Sequence, residues 1–195
     1  MFAQRLSENG EFLISSNKDD YTLYGQNYVG VLKPNFLGTS FELYNNGFEE
    51  SIATQLPERF LPVRQKVATI EYDSNFFAEK PRSFRISFHD FMRNDPDTIT
   101  HKFENMQPRY NEARGCYTLN FYGRVHKASA RNFQLIQSVE DGDEDMEEMG
   151  DNEMPLLTHG KISKNEFNLD YRSPFQIFCA FAVSLTAIGK KRAVG

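Results

Sequence analysis

Tryptophan is absent from this chain of 195 residues, and cysteine occurs only twice, at Cys116 and Cys179. The two cysteines are far apart in sequence and lie among apolar neighbours, unlike the dense cysteine patterns of disulfide-stabilised secreted domains. The sequence also has no Asn-x-Ser/Thr sequon, and its first residues lack the basic and then apolar pattern of a secretory signal. Together these absences predict a protein of the reducing cytosol.

The familiar motifs of enzymes are missing as well. The sequence contains no glycine-rich phosphate loop, no Gly-x-Ser-x-Gly elbow and no Cys-x-x-Cys pair. The four histidines are scattered without the spacing of metal ligands, so each is interpreted as a surface or hydrogen-bonded residue. We therefore predict a non-enzymatic protein without a cofactor or metal. Convergent titratable side chains in a deep pocket would be needed to reverse this prediction.

Acidic residues outnumber basic ones by 27 to 22, but their distribution is uneven. Nine of the 27 acidic residues lie between Glu140 and Glu153, so the rest of the chain carries a balance of +4. The acidic segment 140–153 contains almost nothing that could be buried, which predicts a solvated loop within a single domain spanning residues 1–195. The mildly basic remainder permits an anionic partner. We expect no nucleic-acid partner.

Short stretches of alternating polar and apolar residues dominate the chain and predict an antiparallel sheet with one wet face. The expected strands cover 1–5, 11–16, 27–33, 38–44, 63–72, 83–88, 117–122, 132–138, 156–162 and 166–171. Residues 48–62 are expected to form a loop with one short helix, and residues 91–108 could be strand or loop. The fold class is therefore mainly β.

One apolar segment near the end differs from the rest. Between Ser173 and Gly189 nearly every residue is apolar or small, with Ser173 as a cap, Pro174 in the first turn and Gly189 as a stop. A membrane span needs about 20 apolar residues, and this segment is shorter. A helix without a polar face must be surrounded by protein. We therefore expect a buried helix wrapped by strands, as in a barrel or a strongly curved sheet.

Three ordered stretches resemble the tubby carboxy-terminal domain. The first is Tyr28–Phe41 followed by Tyr44-Asn45-Asn46-Gly47. The second is Leu119–Val125 with Ala128-Ser129 and Asn132-Phe133-Gln134. The third runs from Gly160-Lys161-Ile162 through Asp170-Tyr171 and Ala180-Phe181-Ala182 to Lys191-Arg192-Ala193. They cover most of the chain in the order of the family. The resemblance implies a closed antiparallel barrel around a central hydrophobic helix.

The resemblance also implies a function. Family members bind phosphatidylinositol 4,5-bisphosphate on the outside of the barrel and act as membrane adaptors, several of them in ciliary trafficking. Their lipid contacts come from basic residues on neighbouring strands, and the matching residues here are Arg5 and Lys33. Two cations on adjacent strands can clamp an inositol phosphate. The chain departs from the family in having Lys33 where an arginine is usual and Glu8 where the family is basic. The implied location is the cytoplasm, at the plasma membrane or a cilium.

Two alternatives follow from these departures. The fold could serve as a protein-interaction or structural component of a ciliary or other large assembly whose lipid site has decayed. The family domain also begins several strands before the point matched by Met1, so the barrel is expected to lack its first strands. An open edge beside an apolar helix is an aggregation hazard unless it is covered. Either the sequence is short at its start, or the barrel closes with fewer strands, or a protein partner completes it by adding a strand near the amino terminus.

Overall fold

In a computed structural model, the described residues are 1–6, 10–55, 61–73, 82–89, 99–138 and 154–188. They form twelve strands and two helices. The strands are β1 (Phe2–Arg5), β2 (Phe12–Ser15), β3 (Tyr28–Pro34), β4 (Ser40–Asn45), β5 (Lys66–Tyr72), β6 (Phe84–His89), β7 (Ile99–Asn105), β8 (Arg109–Asn111), β9 (Cys116–Thr118), β10 (Phe133–Gln137), β11 (Leu157–Lys161) and β12 (Phe167–Tyr171). The helices are α1 (Glu50–Gln55) and α2 (Ile177–Ile188). The predicted acidic loop 140–153 and the expected stop at Gly189 lie outside the described residues.

Ten strands form one antiparallel sheet in the order β1-β2-β3-β4-β5-β6-β7-β10-β11-β12. Neighbouring strands are mostly consecutive in sequence, as short connections favour. The exception is the β8–β9 hairpin, which forms a separate two-stranded sheet between β7 and β10. Within the described ranges β1 pairs only with β2, and β12 pairs only with β11. These two strands are therefore the edges of the sheet.

The core lies between the sheet and α2, because alternate residues of each strand point to that side. Leu32, Leu43, Ile70 and Ile86 are fully buried there, and they form one cluster with the buried face of α2. Phe178 of α2 packs so closely on β3 that a Cβ at Gly30 would lie 2.6 Å from its ring. The predicted buried helix inside a curved antiparallel sheet is confirmed.

The start of the helix differs from the expectation, since α2 begins at Ile177 and not at Pro174 after a cap at Ser173. Before it the chain turns, with the Phe175 amide donating to the Arg172 carbonyl at 3.0 Å. Phe175 is buried against the rings of Phe88 and Phe103, at centroid distances of 5.0 and 4.6 Å. This packing takes Phe175 into the core, so Ser173 and Pro174 belong to a turn that precedes the helix. The prediction that they open the helix was wrong.

One predicted strand was also wrong in extent. Residues 117–122 were expected as a strand, but only Cys116–Thr118 is extended, as β9 in the small hairpin with β8. The residues that follow leave the sheet as a loop, 119–132, that returns to β10. The region 91–108, left open by the sequence, supplies β7 from Ile99 onward. Neither helix among the described residues is long and apolar enough to cross a membrane.

Candidate functional site

Two short backbone segments, around Phe48 and Val63, run side by side and form an isolated parallel bridge. The Phe48 amide donates to the Pro62 carbonyl, and the Arg64 amide donates to the Phe48 carbonyl, both at 2.7 Å. Gly47 permits this close approach, since a Cβ at this position would lie 2.4 Å from the Arg64 backbone. The bridge places Glu49 between Arg64 and Lys33 of β3.

Glu49 is held there by two cations. The Glu49 Oε1 atom lies 3.2 Å from Lys33 Nζ and 2.9 Å from Arg64 Nη1. The hydrogen bond from Lys33 and the charge of Arg64 lower the pKa of the Glu49 carboxyl below its ordinary value. Glu49 is therefore ionised at neutral pH, and the Lys33–Arg64 pair converges on one anionic oxygen.

The surroundings of the pair are polar and electrically balanced. Glu11 lies 3.8 Å from Lys33 Nζ. The guanidinium of Arg64 stacks over the Tyr44 ring at 4.8 Å, and the Tyr44 hydroxyl donates to Glu42 at 2.7 Å. Burial, followed by this hydrogen bond to Glu42, raises the pKa of Tyr44 to about 12, so its hydroxyl stays protonated. Ring stacking and Glu49 together fix the planar fork of Arg64.

The two residues predicted for a lipid site are not on the same face of the sheet. Arg5 pairs with Phe12, and Phe12 pairs with Leu32. Directly paired residues of antiparallel strands share a face, and Phe12 and Leu32 are in the core. Arg5 thus belongs to the inner face at the end of β1, whereas Lys33 follows Leu32 and points outward. Arg5 stays a separate prediction, and Arg64 is the cation that meets Lys33.

Sequence reasoning missed Arg64 because it lies 31 positions beyond Lys33 in a stretch interpreted as a strand. The two cations come together because the segments around Phe48 and Val63 lie side by side as an isolated parallel bridge. The one available signal was Gly47 in the Asn45-Asn46-Gly47 turn. A glycine there indicates close backbone approach, but it does not name the segment that approaches.

The second tubby-like stretch has a structural role in the loop 119–132. Arg124 donates two hydrogen bonds to Asp170 of β12, from Nε at 2.8 Å and Nη2 at 2.6 Å. The Asn168 side chain donates to the Arg124 carbonyl at 2.7 Å. Asn132 accepts from the Lys161 amide at 2.9 Å. These contacts fasten the loop onto β11 and β12, so Asp170 has a structural role as a hydrogen-bond acceptor.

The histidines remain apart in the folded chain. His159 is buried between the rings of Phe133 and Phe167, while His101 and His126 are exposed. His89 Nε2 lies 2.9 Å from the Thr69 hydroxyl. No group of three or more histidine, cysteine or acidic side chains among the described residues could hold a metal ion.

Comparison with known proteins gives one consistent result. The Tub family model matches residues 1–190. Tubby-related protein 3 of Mus musculus is 28% identical over 97% of the chain, tubby-related protein 1 of Homo sapiens is 27% identical over 97%, and tubby-like F-box protein 5 of Oryza sativa is 28% identical over 97%. The chain spans only 44%, 37% and 58% of the lengths of these three relatives.

Proposed function

The chain belongs to the Tub family, and on that premise we propose that it is a non-enzymatic adaptor that binds phosphoinositides at a membrane surface through Lys33 and Arg64. The observation that carries this proposal is the shared contact of both cations with one carboxylate oxygen of Glu49. A group that holds one anionic oxygen in this way can hold a phosphate oxygen instead. The planar fork of Arg64 is suited to a bidentate contact with phosphate, and Lys33 adds a second charge.

Glu49 occupies the cation pair and competes with a lipid headgroup for it. Lys33 is already neutralised by Glu49 at 3.2 Å and Glu11 at 3.8 Å, so a lipid headgroup must displace the Glu49 carboxylate before it can occupy the pair. A phosphoinositide carrying several phosphate charges competes better for this position than a lipid with a single charge. We therefore expect selectivity for phosphatidylinositol 4,5-bisphosphate over singly charged lipids.

An exposed apolar tip beside Lys33 supports binding to a membrane. Phe36 and Leu37, in the turn between β3 and β4, are 80% and 52% exposed. Asn35 shapes this turn by accepting hydrogen bonds from the amides of Thr39 and Ser40. An aromatic and an aliphatic side chain at a rigid tip can enter the interfacial region of a bilayer while the cations bind headgroups. The tip and the Lys33–Arg64 pair thus form one membrane-facing surface in this proposal.

The adaptor part of the proposal requires a protein partner, and the edges of the sheet favour one that adds a strand. On α2, Ile177 and Ile188, at the two ends of the helix, are 53% and 41% exposed. Phe2 of β1 and Tyr171 of β12 are similarly exposed, at 40% and 41%. A β-strand supplied by a partner would pair with an edge strand and cover its exposed side chain. Such a partner would link the membrane to cargo, in the cytoplasm and at the plasma membrane or a cilium.

A vesicle co-sedimentation experiment tests the lipid part. Wild type and the Lys33→Gln/Arg64→Gln variant are mixed with phosphatidylcholine vesicles with and without phosphatidylinositol 4,5-bisphosphate. The control variant, Lys18→Gln/Arg85→Gln, loses the same charge at exposed positions outside the pair. We expect the lipid to recruit wild type and control alike and the pair variant much less. Equal sedimentation of the pair variant and the control would remove these two residues from the site.

The charge balance around Lys33 favours one second candidate, a protein-interaction component in which the lipid site has decayed. The two functions differ in a simple experiment. This second candidate would be supported if the wild type does not bind phosphoinositide vesicles but purifies in a stable large complex. For either function, light scattering of the purified chain tests the edge partner, since a stable, soluble and lone monomer would contradict it.

A further inference from the structure

A cavity of about 780 Å³ opens at the end of the sheet where the loop 119–132 crosses from β9 to β10. Its floor consists of core residues, among them Phe84, Phe133 and Ala187 at the end of α2. Its walls come from the loop and from the β8–β9 hairpin, with Tyr117 and Phe121 supplying aromatic surface. Volumes of this size are typical of small-molecule sites. The cavity shares no residue with the Lys33–Arg64 pair.

Its described lining has a charge of one sign. Arg82, Arg114, Lys127 and Arg131 all line the cavity, and its described lining includes no aspartate or glutamate. Within the described ranges, no ion pair or side-chain hydrogen bond engages the basic groups of Arg114, Lys127 or Arg131, and all three side chains are exposed. Several cations facing one concave space repel one another, and an anionic ligand relieves that repulsion.

The backbone carrying these cations is fixed in place. The Lys127 amide donates to the Lys161 carbonyl at 3.1 Å, and the Lys127 carbonyl accepts from the Asn132 side chain at 2.9 Å. The Arg131 amide donates to the Ser129 hydroxyl at 3.2 Å. On the hairpin, the Arg114 amide donates to the Asn111 side chain at 3.1 Å. A ligand therefore has to order only the long side chains, because their attachment points are already arranged.

We propose that this basic cavity binds a compact ligand carrying two or more phosphate groups, with Arg114, Lys127 and Arg131 as its phosphate contacts. Guanidinium groups match phosphate oxygens with paired hydrogen bonds, and the lysine adds a mobile point charge. Tyr117 and Phe121 pack against the C–H face of the ring that carries the phosphates. The ligand is either a soluble phosphorylated small molecule or the headgroup of a phospholipid, since the two present the same chemistry.

Isothermal titration calorimetry with inositol 1,4,5-trisphosphate tests the proposal. The titrated proteins all carry Lys33→Gln/Arg64→Gln, so that the other candidate site does not contribute. On this background we expect saturable binding, and the further changes Arg114→Ala, Lys127→Ala and Arg131→Ala weaken it by at least about tenfold, because each charge-assisted contact is individually strong. The matched control adds Lys18→Ala, Arg85→Ala and Lys164→Ala, three exposed cations outside the cavity.

A second arm separates the two sources of phosphate. Vesicles containing phosphatidylinositol 4,5-bisphosphate are bound by the triple cavity variant and the triple control, both with the native Lys33 and Arg64. Weaker vesicle binding by the cavity variant identifies a lipid headgroup, and equal vesicle binding identifies a soluble ligand. The proposal is overturned if the background protein shows no saturable binding of the trisphosphate, or if the cavity variant and the control bind it equally. Loss of vesicle binding by Lys33→Gln/Arg64→Gln alone bears only on the proposed membrane function.

Discussion

Arg124 and Asp170, 46 positions apart, are joined by a bidentate contact in which the Arg124 guanidinium donates at 2.8 and 2.6 Å to both carboxylate oxygens. Arg124 belongs to the loop 119–132, and Asp170 belongs to the edge strand β12. The contact holds the loop against the last strands of the sheet, and the same loop forms a wall of the basic cavity. This pair therefore connects the edge of the sheet to a candidate ligand site.

Replacing Asp170 with asparagine is expected to loosen the loop without unfolding the sheet. The substitution removes the charge and one of the two acceptors of Arg124, and both side chains are partly exposed, so the effect is local. Hydrogen exchange should become faster at the amides of His126 and Lys127, which donate to the Lys161 carbonyl. Asp73→Asn, which breaks an exposed pair with Arg85, serves as the control. Unchanged exchange at these two amides would mean that the contact does not anchor the loop.

Gly160 is predicted to be required because any side chain at this position would clash with Val125. Shortening the Val125 side chain should relieve that clash. A Cβ at Gly160 would lie 2.1 Å from Val125 Cγ2, so Gly160→Ala should lower the free energy of unfolding by about 1–3 kcal/mol. Adding Val125→Ala removes the clashing methyl group and should restore most of this loss. Urea unfolding measures both changes.

Gly30 provides the contrast, because a Cβ there would lie 2.3 Å from the Tyr44 carbonyl oxygen. That oxygen belongs to the backbone, so no truncation of a side chain can relieve Gly30→Ala. Failure of Val125→Ala to rescue Gly160→Ala would contradict the packing seen around the loop.

His159 is predicted to make stability depend on pH. Burial, with a smaller effect from the charge of Arg131, lowers the pKa of His159 from 6.5 to about 4. The unfolded chain therefore binds a proton at higher pH than the folded chain. The contribution is complete above pH 6.5 and is lost as pH falls towards 4, by up to about 3 kcal/mol in the free energy of unfolding.

The comparison between wild type and His159→Phe isolates this contribution. Neither ring nitrogen of His159 has a hydrogen-bond partner within the described residues, and the ring stacks on Phe133 and Phe167 at 5.2 and 4.9 Å. Phenylalanine keeps the stack and removes the titrating group, so the variant should lose less stability between pH 6.5 and 4 than wild type does. His101→Phe at an exposed position is the control. Parallel pH profiles for wild type and His159→Phe would refute the prediction.

The exposed tip at Phe36 and Leu37 is expected to strengthen binding to membranes and to leave binding of the soluble headgroup unchanged. Phe36→Ser/Leu37→Ser removes apolar surface that is 80% and 52% exposed, so folding should be little affected. Binding to phosphoinositide vesicles should fall by about tenfold or more, because each apolar side chain inserted in the interface adds to the binding free energy. Titration with the soluble headgroup should remain unchanged. Equal losses in both assays would place the tip in headgroup recognition instead.

The sequence predicted the elements better than it predicted their contacts. Alternation in stretches such as Phe84–His89 and the apolar run ending at Ile188 correctly indicated strands and a buried helix, because both signals depend on which residues meet the core. The helix start was misplaced by three residues, at Pro174 and not Ile177, because the tertiary packing of Phe175 replaced the local cap at Ser173. Residues 119–122 were predicted as part of a strand, but they belong to the loop 119–132, which Asp170 holds through its contact with Arg124.

In the candidate site, too, the sequence indicated single residues but not the contacts between them. Lys33 was found because the stretch around it resembles a family motif. The position of its partner Arg64 depends on the close approach of two backbone segments at Gly47, which no local pattern specifies. The carboxylate of Glu49 between them was not foreseen at all. Arg5 was chosen as the match to a basic stretch of the family and was expected on a strand next to that of Lys33, whereas the strand register gives the two residues opposite faces. Register is a property of the folded sheet, and one residue of offset exchanges its faces.

The most direct test of the account is the order of phosphoinositide affinities among three proteins. Dissociation constants for vesicles containing phosphatidylinositol 4,5-bisphosphate are measured for wild type, Glu49→Gln and Lys33→Gln/Arg64→Gln. Because Glu49 occupies the cation pair at 3.2 and 2.9 Å, removing its charge should strengthen binding, and removing the pair should weaken it, each by about tenfold. The predicted order is Glu49→Gln tighter than wild type, and wild type tighter than the pair variant. Three equal affinities, or weaker binding by Glu49→Gln, would contradict the account.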